Sequence, residues 1–348
     1  MNQQTIQIGS RTIGRGFPIY LIAEVGTTCL GEYNNAITLI EAAAKAGCDA
    51  VKFQIIDPYQ ISDKSVTYPM MVNGMIEHVN MFEMFQRLKF AEADWKGISE
   101  KCNSMGLEFF ATVDFIEGVD LLDRIGVNVH KIGAWDSNYR QLIEKIGRTG
   151  KPMFVDLGPT TASEVSDLVR WYCDSGGSSV LFMHDFHTQL DTQMNMRTIQ
   201  LLNQMYPWPA GFSSPAQDEA LDVAAVALGA CYIEKRLTLD RSQSSFHAHE
   251  SLEPDELKAW VNTIRHVERS LGRAEILPSD VDLQGKLKYY RSICTLAPVK
   301  KGERFTEQNL GAKRPGTGIP TDRFGEFIGR MANRDLSADT LLEEGDFS

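Results

Sequence analysis

Over about the first 270 residues, short β-rich apolar runs alternate with amphipathic stretches of helical period. The eight runs that predict strands are 18–26, 50–56, 107–113, 129–134, 152–158, 179–185, 210–214 and 231–239. Helix-length segments fill nearly every gap, and glycines stand where these helices should end, as in AGCDA and LGACY. Eight β/α units predict a TIM (β/α)8 barrel, and the alternative is a doubly wound parallel sheet.

The pattern changes near residue 272. The segment SLEPDELKAWVNTIRHVERSLG predicts a capped final helix that begins near Ser251 and Pro254. A polar stretch follows, and after it come short apolar runs and turns. We therefore expect a barrel domain over 1–272, a linker over 273–286 and a small β-rich domain over 287–348.

The composition excludes some classes of partner. The chain of 348 residues has a formal net charge of −11, which does not suit nucleic acid or an anionic membrane. Its six cysteines form no CxxC pair, which is typical of a reducing compartment, and no apolar run reaches the length of a membrane span. We expect a cytoplasmic protein without nucleic-acid or membrane partners.

Polar residues stand at or just after the ends of the predicted strands, where barrel enzymes carry their chemistry. They are Glu24, Lys52, Gln54, Thr112, Lys131, Asp156, His184, His187, Ser213 and Arg236. Burying so many charges without a purpose is costly, which favours a functional cavity.

The balance of charge among these residues indicates the kind of substrate. Three cations (Lys52, Lys131 and Arg236) face one or two carboxylates (Glu24 and Asp156). This balance predicts a small anionic substrate, most simply a phosphate or carboxylate, with Glu24 as general acid or base. The structural alternative is that the two lysines pair with the two carboxylates inside the barrel.

A second candidate site lies near the C-terminus, in AKRPGTGIP (312–320). Its prolines fix φ and its glycines permit positive φ, so the segment predicts a shaped loop. Such a loop can hold Arg314 towards an anionic or carbonyl-bearing group, and the alternative is a surface turn.

In order and spacing, the chain resembles the sialic acid synthase (N-acetylneuraminate synthase) family through AEVG, AGCDAVKFQ, HKIGA, IEKRLTLDR, SLEPDEL and KRPGTGI. The resemblance implies a TIM barrel followed by a small antifreeze-like (SAF) domain. It implies an enzyme that condenses phosphoenolpyruvate with an N-acylated hexose, such as N-acetylmannosamine, to a nonulosonic acid. It also implies a homodimer in which the SAF domain of one chain caps the barrel of the other.

The resemblance assigns roles to individual residues. Positions that handle proton transfer, the phosphoenolpyruvate anion and the sugar are matched by Glu24, Lys52, Gln54, Thr112, Lys131, Ser213 and Arg314. Arg314 would reach into the partner's active site and touch the acylamino sugar. In the same site we expect contacts to substrate from Asp156, His184, His187 and His247.

The metal site departs from the family pattern. In the family, two histidines bind a divalent metal, Mn or Mg, whereas Pro215 and Arg236 occupy those positions here. Proline has no ligand atom and arginine stays protonated, so we expect no metal and no other cofactor. Arg236 would then polarise the sugar aldehyde in place of the ion.

Two other hypotheses remain open. One is a different reaction in the same barrel, at a new site formed by Cys29, Asp156, His184, His187, His247 and His249. The other is a sugar-binding or assembly subunit without catalysis. The like charges of Lys52, Lys131 and Arg314 favour an enzyme, because an inert scaffold has no use for them.

Overall fold

The computed structural model describes residues 4–72, 75–188, 190–215 and 217–348. The chain divides into two compact units, one that ends at Gly272 and one that spans Arg273–Ser348. Within the described ranges, no helix is long and apolar enough to cross a bilayer.

In the first unit, the residues that the structure describes form twelve strands in chain order. They are β1 (Ile6–Ile8), β2 (Arg11–Ile13), β3 (Tyr20–Glu24), β4 (Ala50–Ile55), β5 (Thr67–Val72), β6 (Met75–Asn80), β7 (Glu108–Val113), β8 (His130–Ile132), β9 (Met153–Asp156), β10 (Val180–His184), β11 (Ala210–Ser213) and β12 (Tyr232–Arg236). Strands β3, β4 and β7 to β12 pair in parallel and close into a barrel. The TIM barrel prediction is confirmed, since each of the eight predicted runs forms one barrel strand.

Helices follow most of the barrel strands. They are α1 (Tyr33–Ala46), α2 (Pro58–Ile61), α3 (Met81–Leu88), α4 (Glu92–Ser104), α5 (Ile116–Ile125), α6 (Arg140–Gly147), α7 (Ala162–Asp174), α8 (Thr198–Met205), α9 (Ala220–Ala227) and α10 (Pro254–Leu271). Gly47 ends α1 with a φ of 96°, a left-handed conformation that glycine adopts without strain. Such stops turn the chain back into the next strand.

Aromatic rings fill the floor of the barrel. The ring centroids of Phe110 and Phe154 lie 5.3 Å apart, and those of Phe154 and Tyr232 lie 5.0 Å apart. Because side chains alternate along a strand, the residues two positions further on also point inwards. The polar strand ends are therefore built on a packed apolar floor.

Two antiparallel hairpins add to the barrel within the described part of the chain. Strands β1 and β2 form one, and β5 and β6 form the other, in the connection between β4 and α4. In the second hairpin, the Tyr68 ring packs 4.3 Å from that of Phe246. This hairpin therefore contributes side chains near the loops that follow the strands.

The second unit has a small core of its own. It contains α11 (Asp280–Tyr289) and the antiparallel strands β13 (Ser292–Thr295) and β14 (Leu310–Lys313). Its buried apolar residues are Ile293, Val299, Phe305, Leu310, Ile319, Phe327, Ala332, Leu336 and Leu342. The segment that we predicted as a linker, 273–286, contains the N-terminal part of α11.

Candidate active site

The strand register places most of the predicted site residues on the inner face of the barrel. Glu24 pairs with Arg236 on one side and with Lys52 on the other. Thr112 pairs with both Gln54 and Lys131 in the same way. Because residues paired in register share a face, one ring of polar side chains lines the C-terminal end of the barrel.

Two buried lysines and three buried carboxylates form an ionic cluster in this ring. Lys131 Nζ lies 2.7 Å from Glu234 Oε2 and 3.0 Å from Asp156 Oδ1. Lys52 Nζ lies 3.0 Å from Glu234 Oε1 and also contacts the Glu24 carboxylate. Each side chain is at most 12% exposed, so water screens these charges weakly. We call these five residues the lysine cluster.

Burial and charge set the pKa values in the lysine cluster. Burial raises the pKa of Asp156 to about 7, although the Lys131 ammonium opposes the shift. Burial lowers the pKa of Lys52 to about 8, against the attraction of Glu234. Glu234 is also buried, but the two lysines hold its pKa at about 2. The carboxyl group of Asp156 therefore exchanges its proton near neutral pH.

The charge balance predicted from the sequence was wrong. Glu234 and Glu250 were missed. Glu234 forms ion pairs with both Lys52 and Lys131, and Glu250 forms one with Arg236. Glu234 was detectable, because it lies two residues before Arg236 and so faces the same side of β12. The pairing of Lys52 and Lys131 with Glu24 and Asp156, our structural alternative, is present.

Arg236 lies at the mouth of the barrel rather than in the lysine cluster. Its Nη1 contacts Glu250 Oε2, and His247 Nδ1 lies 3.5 Å from the same oxygen. His249 Nε2 lies 3.6 Å from the other carboxylate oxygen of Glu250. Burial, together with the positive charge of Arg236, lowers the pKa of His247 to about 4. His247 is therefore neutral at physiological pH, and the Glu250 carboxylate balances the guanidinium.

A cavity of about 470 Å³ opens above the lysine cluster. Its polar lining consists mainly of Gln54, Arg236, His247 and Glu250. Its aromatic lining consists of Tyr68, Phe85, Trp135, His187 and Phe246. Gln54 and Arg236 each stand two residues after a member of the cluster on the same strand, so the cavity lies directly over the ions. Its size suits a small-molecule ligand.

A pair of carboxyl groups borders the polar lining. Gln54 Nε2 donates a hydrogen bond of 3.0 Å to Asp114 Oδ2, and Asp114 is hydrogen-bonded to Asp136. Burial and the charge of Asp114 raise the pKa of Asp136 to about 7. The pair therefore shares a proton near neutral pH. Thr112 and Ser213, both buried, complete the inner face.

Some predicted residues lie elsewhere. His184 is fully buried and pairs in register with Phe212, whereas the neighbouring Met183 accepts a hydrogen bond from Lys131 on the inner face. The Nε2 atom of His184 lies 2.7 Å from Met194 O, so the His184 ring points away from the barrel interior. Cys29 is buried, and burial raises the pKa of its thiol to about 11. The structure therefore does not assemble the alternative site that included His184 and Cys29.

The residues at the positions of the family's metal ligands do not fit a divalent cation. Pro215 offers no donor atom, and Arg236 offers only a cationic guanidinium that already contacts Glu250. Among the residues the structure describes, no group of three or more His, Cys, Asp or Glu side chains is placed to hold a metal ion. These two positions therefore supply no ligand for a metal-dependent step.

Arg314 lies in the second unit, on a loop held by hydrogen bonds. Its Nε donates to Tyr289 O at 2.7 Å, and Gly316 N donates to Leu287 O at 2.9 Å. Ser292 Oγ donates to Pro315 O at 2.7 Å and accepts from Gly318 N at 2.8 Å. The segment is therefore a shaped loop with an exposed arginine.

Comparisons with known proteins show which family the chain belongs to. The profile of the NeuB family matches residues 39–276, and that of the SAF domain matches residues 290–348. An N,N'-diacetyllegionaminic acid synthase of Campylobacter jejuni is 31% identical over 336 residues, which are 93% of this chain and 98% of that protein.

Solved structures agree over nearly the whole fold. The N-acetylneuraminic acid (sialic acid) synthetase of Leptospira borgpetersenii, crystallised with citrate, has a TM-score of 0.72 and 25% identity, covering 81% of this chain and 95% of its own. The spore coat polysaccharide biosynthesis protein SpsE of Bacillus subtilis has a TM-score of 0.66 and 28% identity, covering 99% of both chains. Since the family match spans more than half of the sequence, this chain belongs to the NeuB family, carries a C-terminal SAF domain and is homologous to sialic and legionaminic acid synthases.

Proposed function

We propose that the protein is a nonulosonic acid synthase that condenses phosphoenolpyruvate with an N-acylated hexose. The observation that carries this proposal is the lysine cluster directly beneath a cavity of about 470 Å³ at the C-terminal end of the barrel. Relatives that are named as synthases of sialic and legionaminic acids support the same reaction class.

The reaction makes one carbon–carbon bond and releases phosphate. C3 of phosphoenolpyruvate bonds to the aldehyde carbon of the sugar, and the aldehyde oxygen gains a proton. Water adds to C2, which becomes the keto carbon as phosphate leaves. Lys52 and Lys131 would bind the carboxylate and phosphate of phosphoenolpyruvate, and these anions would displace the protein's own carboxylates. Glu24, which already contacts Lys52, would transfer the proton.

Arg236 would stabilise the alkoxide that develops on the aldehyde oxygen. Its guanidinium lines the cavity, and the contact with Glu250 engages one of the five N–H donors that a guanidinium carries. The other donors can form charge-assisted hydrogen bonds to an oxyanion. Glu250 would hold the guanidinium in place and would partly offset its charge.

We also propose a homodimer in which Arg314 of one chain reaches the acylamino sugar in the barrel of the other. The hydrogen-bonded loop that carries Arg314 supports this proposal, because a fixed loop can present a charge at a defined point.

The test is turnover. Purified protein is incubated with phosphoenolpyruvate and a panel of mono- and di-N-acetylated hexoses, with and without manganese, and phosphate release is measured. We expect release that requires one of the sugars and does not require manganese. Phosphate release that does not depend on any sugar of the panel would contradict the synthase assignment. The absence of any phosphate release would also contradict it.

A further inference from the structure

A large aromatic side chain stands exposed in the wall of the cavity. The indole of Trp135 is 72% exposed, yet it stacks on the His187 imidazole with ring centroids 5.3 Å apart and planes inclined by 23°. Both residues line the cavity. The proposed carbon–carbon bond formation gives Trp135 no part.

The stacked pair is held in place from behind. A Cβ added at Gly158 would lie 2.9 Å from Ala134 Cβ and 3.0 Å from His187 Nδ1, so the loops that follow β8, β9 and β10 pack closely at this glycine. Asp185 Oδ2 lies 3.4 Å from His187 Nε2 and orients the imidazole. The imidazole behind the indole is therefore packed in place before a ligand arrives, and only the exposed indole has to be ordered on binding.

The lining of the cavity combines this aromatic face with hydrogen-bonding groups. Gln54, Arg236, His247 and Glu250 supply donors and acceptors, whereas Trp135 supplies a flat apolar surface. A sugar has the same two characters, because its C–H groups are apolar and its hydroxyl and acylamino groups are polar. Phosphoenolpyruvate is small and strongly anionic, and the groups proposed to bind it are the two lysines of the cluster below.

We propose that Trp135, backed by His187, is the surface on which the acylamino sugar packs its carbon skeleton, and that it sets the enzyme's affinity for the sugar. This inference rests on the proposed function, since it takes the sugar as a substrate of this cavity. It assigns Trp135 a role in sugar binding and none in binding phosphoenolpyruvate.

The test separates binding of the two substrates. Calorimetry and saturation-transfer NMR on the full chain measure the affinity for each hexose of the panel without phosphoenolpyruvate, and then for phosphoenolpyruvate without sugar. In Trp135→Ala we expect sugar affinity to fall about ten-fold, whereas Trp135→Phe keeps most of it, because a smaller ring still offers an aromatic face. Affinity for phosphoenolpyruvate should stay within about two-fold of wild type. Trp171→Ala, which alters a partly buried indole packed against Arg140 outside the cavity lining, is the matched control.

Each other outcome has a distinct meaning. Unchanged sugar affinity and an unchanged KM for the sugar in Trp135→Ala would overturn the role of Trp135 while leaving the synthase assignment intact. An equal loss of affinity for both substrates would also overturn it, because it would show a general distortion of the barrel mouth. If the wild-type protein bound none of the sugars and released no phosphate with any of them, both this inference and the proposed function would fall.

Discussion

Lys131 Nζ lies 2.7 Å from Glu234 Oε2, and both side chains are buried at the centre of the barrel. A buried ion pair is costly to break on one side, because the remaining charge loses its partner in a medium of low polarity. Glu234 also lies 3.0 Å from Lys52, so one carboxylate separates two ammonium groups.

Replacement of Glu234 should destabilise the barrel. For Glu234→Gln we expect a loss of about 3 kcal/mol, near the low end for a broken buried pair, because each lysine keeps one other carboxylate. All five tryptophans lie between residues 95 and 260, so the tryptophan fluorescence in a urea titration reports on the barrel unit alone. Arg170→Ala removes an exposed pair with Asp167 in the same unit and should cost less than about 1 kcal/mol. Equal losses in the free energy of unfolding of the two variants would show that Glu234 does not stabilise the cluster.

Binding of phosphoenolpyruvate should depend on the protonation of Asp156. The pKa of this carboxyl group is about 7, raised by burial, so below that pH it is neutral and above it adds a negative charge beside Lys131. Affinity for the anion should therefore rise as the pH falls through about 7. Asp156→Asn should remove this protein contribution, and subtracting its pH profile from that of the wild type cancels the titration of the ligand itself. If calorimetry showed the same pH dependence of phosphoenolpyruvate affinity in the wild type and in Asp156→Asn, Asp156 would have no role in binding.

Arg236 should be essential to turnover, and activity should survive chelators. Loss of one donor to a developing oxyanion costs about 3–4 kcal/mol in comparable sites, so Arg236→Ala should lower kcat by about two to three orders of magnitude. Arg236→His should create metal dependence only together with Pro215→His, because one histidine leaves too few ligands. Arg124→Ala, at an exposed pair with Glu92, serves as the control. Stoichiometric manganese or zinc in the purified wild-type protein would refute the metal-free mechanism.

The swapped dimer can be tested by mixing inactive chains. Lys131→Met removes the barrel charge, and Arg314→Ala removes the loop charge. In a swapped dimer, each mixed pair contains one intact site, so equal mixing with subunit exchange should restore about a quarter of wild-type activity. Light scattering should report a dimer in both variants. If dimers form but mixing restores nothing, each barrel uses its own loop.

The fold was readable from the sequence because the strand signals repeat with a regular β/α period. The hairpin formed by β5 and β6 was missed, although the Asn73-Gly74 dipeptide in the sequence is a strong turn signal between two apolar runs. It was missed because β5 and β6 interrupt the β/α period instead of continuing it.

Only part of the site could be predicted from the sequence. A position at the end of a strand predicts which side chains lie close together, but not whether a side chain points into the barrel or out of it. His184 ends β10, but its position in the alternation of that strand faces out of the barrel. Glu234 precedes the end of β12, but its position faces into the barrel. Glu250 comes from a turn of the loop after β12, and its contact with Arg236 depends on how that loop folds. Counting in steps of two from a known inward residue would have recovered Glu234 and not Glu250.

The hydrogen bonds that fix the loop of Arg314 also bear on the kinetics of assembly. Fixing the backbone of one residue costs about 1–2 kcal/mol of conformational entropy, and this loop loses that freedom when its own unit folds. A chain that meets a binding partner through this loop has no further ordering to complete there. Encounter can then proceed at a rate governed by diffusion and orientation, without a slow folding step after contact.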